Sequence, residues 1–552
     1  MNAPKPRKTI VIGLDGASWD VLDPLMAQGR LPHLAALAAR GARAVCRSTT
    51  HPISPVAWSS VATGRNPGKH GIFDFAFREA GSYRLLPVSS YRRCGATFWD
   101  IASAAGLQCG IFNLPVTYPP RPLRGFMVTS IFTPSNRVCF THPPNLSAEL
   151  NALVDGYEIT TREVFNPGHE RAYVDSILRT IDKRQRALDW LLDRHPIDCG
   201  ILVYNESDTV QHKLWPAEGF AGGDVPWPAS GVVEVYRRLD LAVGRLVQRL
   251  GPDANFLVVS DHGAGPLRGV MCINLWLIQQ GYLRLRRSAG YLLKWLLART
   301  DLLVRTYGVL QRIGLGGLGR FVPNALRHSV ATSFVSFDDV DWQRTRAYSH
   351  GEFGQIYLNL RGREPQGVVA PGQEADRLLG EIFDGLRRLV DPATGRPVVT
   401  QLWRRDELYR GPKAADGPDL VFVIDDYARD ASVQFGLGRS QVLGEPEFVD
   451  RGCHRPEGIF IAAGPDIASG ARPDQVSVMD VMPTALHLLG LPVPQDVDGR
   501  VLAEVLTGQA AARPLERSAA AACAAPAADA QPFSDDEQQQ VKQRLRDLGY
   551  MD

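Results

Sequence analysis

The chain has 552 residues, with 61 Lys+Arg against 59 Asp+Glu and a formal net charge of +2. That balance excludes a dedicated nucleic-acid binder, whose domain would be clearly basic, and it excludes a long acidic tail. With 45% hydrophobic and 22% charged residues, the composition is that of a folded protein with ample material for a large core, not of a disordered chain.

The basic start, Met1 to Lys8, is followed by an apolar run of only Ile10–Leu14. This is too short for a signal peptide. Thr9–Leu14 does not alternate apolar with polar residues, so it reads as a strand buried on both faces, ending in Asp15-Gly16. Ala57 to Ala62 reads as helix. Helical patterns follow over Ala172–Arg194 and Val232–Leu250. Between and after them come three more unalternating runs. Gly200–Tyr204 runs into Asn205-Glu206-Ser207-Asp208, and Phe256–Val259 runs into Ser260-Asp261-His262-Gly263. Ile459–Ala462 runs into Ala463-Gly464-Pro465. Strand and helix alternate, which predicts an α/β fold with a largely parallel sheet. Carboxylates and histidines gather just after the strands, where open α/β sheets carry their sites.

Arg284 to Arg327 differs in character, with nine Lys/Arg, one acid (Asp301) and leucine-rich stretches. It is expected as an inserted helical basic cap over 284–345, with peripheral membrane contact through 284–327 as the alternative. Ala510 to Ala530 holds twelve alanines and two prolines and reads as a linker. Ser534 to Glu537 then has capping-box spacing, and Val541, Leu545 and Leu548 form one apolar stripe of a C-terminal helix expected to dock on the body or on a partner. The resulting division is a catalytic core over 1–283, the cap, a second core part over 346–508, a linker over 509–533 and a terminal helix over 534–552. Eight cysteines are scattered without a CxxC pair, so free thiols in a reducing cytoplasm are expected. No apolar stretch is long enough to span a membrane.

The chemistry lies in the polar strand ends. Asp208 and His212 are spaced i, i+4 and share a helical face, so both can reach one metal ion. Asp261 and His262 are adjacent at a strand end, Asp15 ends the first strand, and His454 precedes the run at Ile459. Three aspartates and three histidines suffice for two divalent ions with open positions.

Thr63-Gly64-Arg65-Asn66-Pro67-Gly68-Lys69-His70-Gly71-Ile72, read with Pro52-Ile53-Ser54-Pro55 upstream, resembles the alkaline phosphatase superfamily. The branch most resembled is the type I phosphodiesterase/nucleotide pyrophosphatase-like group. In that group a nucleophilic Thr or Ser stands nine residues before a Thr-Gly pair, as Ser54 does here, and His-Gly-Ile follows. The opening Gly13-Leu14-Asp15-Gly16 is similar to the group's first ligand strand, and the other ligands follow in the same order up to the closing Asp498-Gly499-Arg500. The resemblance spans about residues 9 to 507. It implies an alkaline-phosphatase-like three-layer α/β/α sandwich. It places Asp15, Asp261 and His262 on one ion, bridged by Ser54, and Asp208, His212 and His454 on the other.

The implied function is a two-metal phosphohydrolase that cleaves phosphodiester or nucleotide-type pyrophosphate bonds through a phosphoseryl intermediate on Ser54. Zn²⁺ is the expected metal and Mn²⁺ the alternative, and the partner is a small anionic phosphate ester. Two divalent ions balance three carboxylates and a serine alkoxide, which leaves room for an anionic substrate. A phosphomonoesterase or phosphomutase of the same fold is the alternative enzyme; a silent metal-binding scaffold is the alternative from another class. A formylglycine sulfatase is excluded, because the required Pro and Arg are replaced by Val56 and Trp58. The group's phosphate-binding Asn after His-Gly-Ile-x-Asp is Phe75 here, which cannot donate that bond, so nucleotide specificity does not carry over. Thr63-Gly64, His70, Ser59, Ser60, Arg455, His350 and His487 are expected to be structural, and Lys69 to be solvated.

Overall fold

The computed structural model describes residues 7–220, 225–286, 337–432, 435, 441–446, 450–520 and 533–548. Most of the expected basic cap, and with it the membrane-contact segment, lies outside the described residues. Among them, no helix is long and apolar enough to cross a membrane.

Nine strands form the central sheet. In chain order they are β1 (Thr9–Leu14), β2 (Ala42–Arg47), β3 (Cys109–Leu114), β4 (Gly125–Thr129), β5 (Thr141–His142), β6 (Cys199–Tyr204), β7 (Asn255–Val259), β8 (Glu457–Ala463) and β9 (Val476–Ser477). Their order across the sheet is β9-β2-β8-β7-β1-β6-β3-β4-β5. The middle is parallel: β1 pairs with β6 from Thr9↔Cys199 to Leu14↔Tyr204 and with β7 from Thr9↔Asn255 to Gly13↔Val259. β1, β6 and β7 are buried at every position, as unalternating apolar runs demand. Two strands run against the rest: β8 is antiparallel to both β7 and β2, and the edge strand β5 is antiparallel to β4.

Five helices frame the site or line its surroundings: α1 (Ser54–Thr63), α2 (Glu170–Arg194), α3 (Glu206–Leu214), α4 (Ser230–Leu250) and α5 (Asp535–Leu548). Period-two alternation along β1 sends Ile10, Ile12 and Leu14 to one face, into a core shared with α2 and α4. Val11 faces the other way, into a core that contains Trp58 and Val61 of α1. Helices therefore cover both faces of the sheet, the three-layer α/β/α sandwich of the alkaline phosphatase fold. Gly13 permits close packing of α1 on this face, since a Cβ there would meet the Trp58 indole at 2.4 Å.

A separate four-stranded antiparallel sheet is built from Ala347–Tyr348, Gly354–Leu358, Val399–Arg404 and Leu420–Ile424. It packs with the helix Gln373–Arg387 around its own core, which includes Ile356, Leu378, Ile382 and Phe422. Of the stretch read as a linker, residues 509–520 are described. Gly508–Ala512 is a short helix with Ala510 buried, and Arg517–Ser518 pairs with Val493–Pro494. The capping box of α5 forms as its spacing predicts: Ser534 Oγ accepts from Glu537 N, and Glu537 returns a carboxylate to Ser534 N.

Strand direction positions the site. Because β1, β6 and β7 are parallel, their carboxyl ends share one sheet edge, and Asp15, α3 and Asp261 all emerge there. Because β8 is antiparallel, its amino end lies at that same edge, and His454 just before it joins the group.

Candidate metal centre

Two clusters form at this edge, both fully buried. Asp15, Asp261 and His262 present ligand atoms within 4.8 Å of one another, and so do Asp208, His212 and His454. In the first, His262 Nε2 lies 3.5 Å from Asp15 Oδ1 and 3.4 Å from Asp261 Oδ2. In the second, His212 Nε2 lies 3.4 Å from Asp208 Oδ2, and His454 Nε2 lies 3.5 Å from Asp208 Oδ1. The clusters touch, for the His262 and His454 rings stack at 3.7 Å. Ser54 Oγ sits beside the first cluster, 3.4 Å from Asp15 Oδ1 and 3.1 Å from His262 Nε2. The structure thus brings together all seven residues singled out from the sequence.

Local sequence explains each placement. Ser54 is the first residue of α1, with Pro55 in the first turn and Ile53 just before it in extended backbone, so its hydroxyl stands at the positive end of the helix. Asp208 and His212 share a face of α3 one turn apart. Gly16 turns the chain after Asp15 with φ +67°, and a Cβ there would meet Asp208 Oδ1 at 2.8 Å.

The donor set fits divalent cations. His262 Nδ1 faces the Gly263 carbonyl at 2.9 Å and His454 Nδ1 faces the Pro52 carbonyl at 2.7 Å. A carbonyl can only accept, so each Nδ1 carries the proton and each Nε2 is left with a lone pair directed into its cluster. The Nε2 atoms of His212 and His454 are 2.9 Å apart, and the buried Asp261 Oδ2 has no hydrogen bond. Carboxylate and imidazole donors converging without thiolates suit hard to borderline metals.

The charges are in conflict without a cation. Burial, and then Asp261 and Asp208, push the Asp15 carboxyl well above the usual carboxylate range. Burial and Asp208 push Asp261 up to about 7. Burial and the facing His454 bring His262 down to about 3. Burial would raise Asp208 as well, but His212 and His454 outweigh it and hold that carboxyl well below its ordinary value. His212 is raised to about 9, burial opposing its charge and Asp208 outweighing burial.

Three polar residues that the sequence did not single out fix the first cluster. Asp15 Oδ2 accepts from Trp58 Nε1 at 3.0 Å and from Asn205 Nδ2 at 2.8 Å, which leaves Oδ1 facing Ser54 and His262. Asn205 is held in turn by Asn113 Nδ2, 2.6 Å from its Oδ1. The available signal was positional: Asn205 and Asn113 both stand at the carboxyl end of a buried parallel strand. Trp58→Phe removes one anchor of Asp15, and metal affinity is expected to fall about 10–100-fold in a metal titration while the fold persists.

The residues expected to be structural are so placed. His70 Nδ1 accepts from Ile72 N and its Nε2 bonds Ser60 Oγ at 3.0 Å; Ser59 Oγ bonds Pro55 O. Thr63 Oγ1 bonds Ser59 O, and Gly64 ends α1 in the left-handed conformation. His350 stacks on Tyr357, His487 meets Ala510 O, and Arg455 bonds the carbonyls of Tyr427 and Pro266. Lys69 is partly exposed, and its ammonium also pairs with Asp498 at 2.6 Å and bonds Asp496 O, which ties the motif loop to the chain's closing segment.

Asp74, in the same loop, is pushed up to about 7 by burial. Its Oδ1 accepts from Phe75 N, its Oδ2 has no hydrogen bond, and Tyr357 and Tyr409 are its titratable neighbours. A carboxyl with a raised folded-state pKa costs stability as pH climbs from its unfolded value to its folded one, because the folded state then binds the extra proton. Asp74→Asn is therefore expected to melt above the wild type at pH 8, the gain shrinking to nothing near pH 4. Melting curves across that window check it.

Two buried donor clusters with a serine at a helix N-terminus, on a three-layer sandwich, define a metal-dependent phosphoryl hydrolase of the alkaline phosphatase superfamily. The chain belongs to the type I phosphodiesterase/nucleotide pyrophosphatase family, whose profile matches residues 9–321. Among solved structures it is similar to phosphonoacetate hydrolase from Sinorhizobium meliloti 1021, at 17% identity and TM-score 0.53, covering 88% of this chain and 97% of that one. It is also similar to murine ectonucleotide pyrophosphatase/phosphodiesterase 5, at 14% identity and TM-score 0.50, covering 91% and 100%. Both likenesses concern the fold. No curated protein matches the chain in sequence.

Proposed function

We propose that the protein hydrolyses phosphodiester or nucleotide-type pyrophosphate bonds of a small anionic ester, with Ser54 as nucleophile. The observation that carries this is the Ser54 hydroxyl at the N-terminus of α1, wedged between Asp15 and His262 of one donor cluster. Asp15, Asp261 and His262, with Ser54, would hold one divalent cation, and Asp208, His212 and His454 the other. Zn²⁺ is the first choice and Mn²⁺ the second. The ions supply charge neutralisation at phosphorus and a lowered pKa for the serine hydroxyl.

The chain's own contribution is placement. Trp58 and Asn205 hold Asp15 so that one oxygen faces Ser54. The α1 N-terminus offers partial positive charge to the phosphate. Ser54 Oγ gives up its proton and bonds to phosphorus as the bond to the leaving oxygen breaks, and the leaving alcohol, or phosphate for a pyrophosphate bond, departs carrying that proton. Water then takes the phosphoryl group from Ser54, the Oγ–P bond breaks, and the serine is restored. The described cysteines are all free thiols, which supports the proposed cytoplasmic setting.

The test is turnover by the purified, metal-loaded protein of an aryl phosphomonoester, an aryl phosphodiester and a nucleoside-5′-monophosphate aryl ester. Preference for one of the last two is the expected result. Preference for the monoester would move the assignment to a phosphomonoesterase or phosphomutase, and no turnover with metal bound would leave a scaffold.

A further inference from the structure

The second cluster joins donors 242 residues apart, His212 on α3 and His454 on the short strand Gly452–Arg455. Two contacts that hold His454 lead towards the first cluster. Gly452–Arg455 pairs with Gly263–Pro266, which sets His454 opposite Ala264, two residues after His262. His454 Nδ1 donates to Pro52 O, two residues before Ser54. Neither contact involves α3, so neither sets the separation of His454 from His212.

The contacts with α3 lie where the chain enters that strand. Arg451 N donates to His212 O at 2.7 Å. Lys213 Nζ, on the residue after His212, donates to Asp450 Oδ1 at 2.5 Å, and the two side chains are only 10% and 13% exposed. Gly452 passes so close to the helix that a Cβ there would meet Gln211 O at 2.4 Å. Asp450 to Gly452 therefore lie flush on the last turn of α3, and the strand carries His454 from there into the centre. Water competes little for an ion pair this short and this shielded, and losing either partner strands the other.

We infer that Lys213 and Asp450 are positioning residues for the second cation: their ion pair latches the strand that carries His454 onto α3 and so sets His454 against His212 and Asp208. The inference rests on the proposed reading of Asp208, His212 and His454 as ligands and deepens it. Position and charge make different demands here. An ammonium beside a cation repels it and a carboxylate attracts it, and the two groups act on the His212 imidazole with opposite sign. On charge alone, removing Lys213 would tighten the second ion and removing Asp450 would loosen it. A latch is broken by either removal, so both variants loosen the ion.

The experiment is calorimetric titration of the metal-stripped, full-length protein with Zn²⁺, the wild type being expected to bind two ions. Lys213→Ala and Asp450→Ala should each weaken one ion, the one that Asp208→Asn abolishes, by about 10–100-fold and leave the other within about twofold. The double variant should lose no more than about threefold beyond the weaker single, because the two side chains make one contact. Lys213→Arg, which still reaches Asp450, should bind both ions within about threefold of the wild type. Gly452→Ala touches neither charge but wedges the strand off the helix, and it should weaken the same ion. Unchanged or tighter binding of that ion in Lys213→Ala overturns the latch. So does equal weakening of both ions with a lowered melting temperature, which would make the pair a general stabiliser. If the wild type binds fewer than two ions, the metal reading itself fails, and the latch is judged on the metal-free protein by deuterium uptake of peptides covering 450–459. Faster uptake in both alanine variants with wild-type uptake in Lys213→Arg upholds it, and wild-type uptake throughout overturns it.

Discussion

Replacing Ser54 by alanine is expected to lower turnover of an aryl phosphodiester by at least about 10³-fold, without loss of bound metal or of melting temperature. The size of the effect follows from the proposed role: the Ser54 hydroxyl stands between Asp15 and His262 at the head of α1, so its removal deletes the covalent step itself. The side chain is small and lies at a helix start, so alanine costs little packing, and the six carboxylate and imidazole ligands remain. Ser54→Thr should keep measurable turnover, since the hydroxyl survives. Rapid quenching of the wild type should trap the substrate's phosphoryl group on Ser54, seen by mass spectrometry. Near-wild-type turnover by the alanine variant would remove Ser54 from the reaction.

Stripping the protein with a chelator is expected to abolish turnover and to lower the melting temperature by several degrees. Restoring Zn²⁺ or Mn²⁺ should reverse both changes. The stability effect is separate from the chemistry. Three buried carboxylates converge on one sheet edge, and Asp261 Oδ2 has no hydrogen bond from the protein, so the folded state carries repulsion that a bound cation relieves and the unfolded chain does not. A ligand present at about 1,000 times its Kd adds about 4 kcal/mol to folding stability. Asp208→Asn isolates one half of the centre: elemental analysis should fall from two ions to one, with the Asp15 cluster still loaded. Retention of both ions would show that Asp208 is not a ligand.

Much of this centre was legible in the sequence because its ligands sit next to strong local signals. Asp15, Asp208 and Asp261 each follow a run of residues buried on both faces, and the Ser54–Ile72 motif is continuous in the chain. Trp58, Asn205 and Asn113 were not legible, because their role is a hydrogen-bond chain across three elements: Trp58 belongs to α1, Asn205 follows β6 and Asn113 lies in β3. The antiparallel direction of β8 was equally hidden. Ile459–Ala462 has the same unalternating pattern as its parallel neighbours, and only the tertiary pairing sets its direction. The second sheet escaped for a similar reason, since Gly354–Leu358 and Leu420–Ile424 look locally like central strands. The pairing of Lys69 was hidden because its partner, Asp498, is 429 residues away.

The reversed direction of β8 also sets an order in time. During synthesis from the amino end, the donors of the first cluster are complete once residue 262 has emerged. The second cluster waits for His454, on the segment that leads into the antiparallel strand. A truncated or unfinished chain can carry one cation's ligands but never both. The second cluster is therefore complete only when the late-made strand inserts beside β7 and brings His454 to the sheet edge where the early donors already stand.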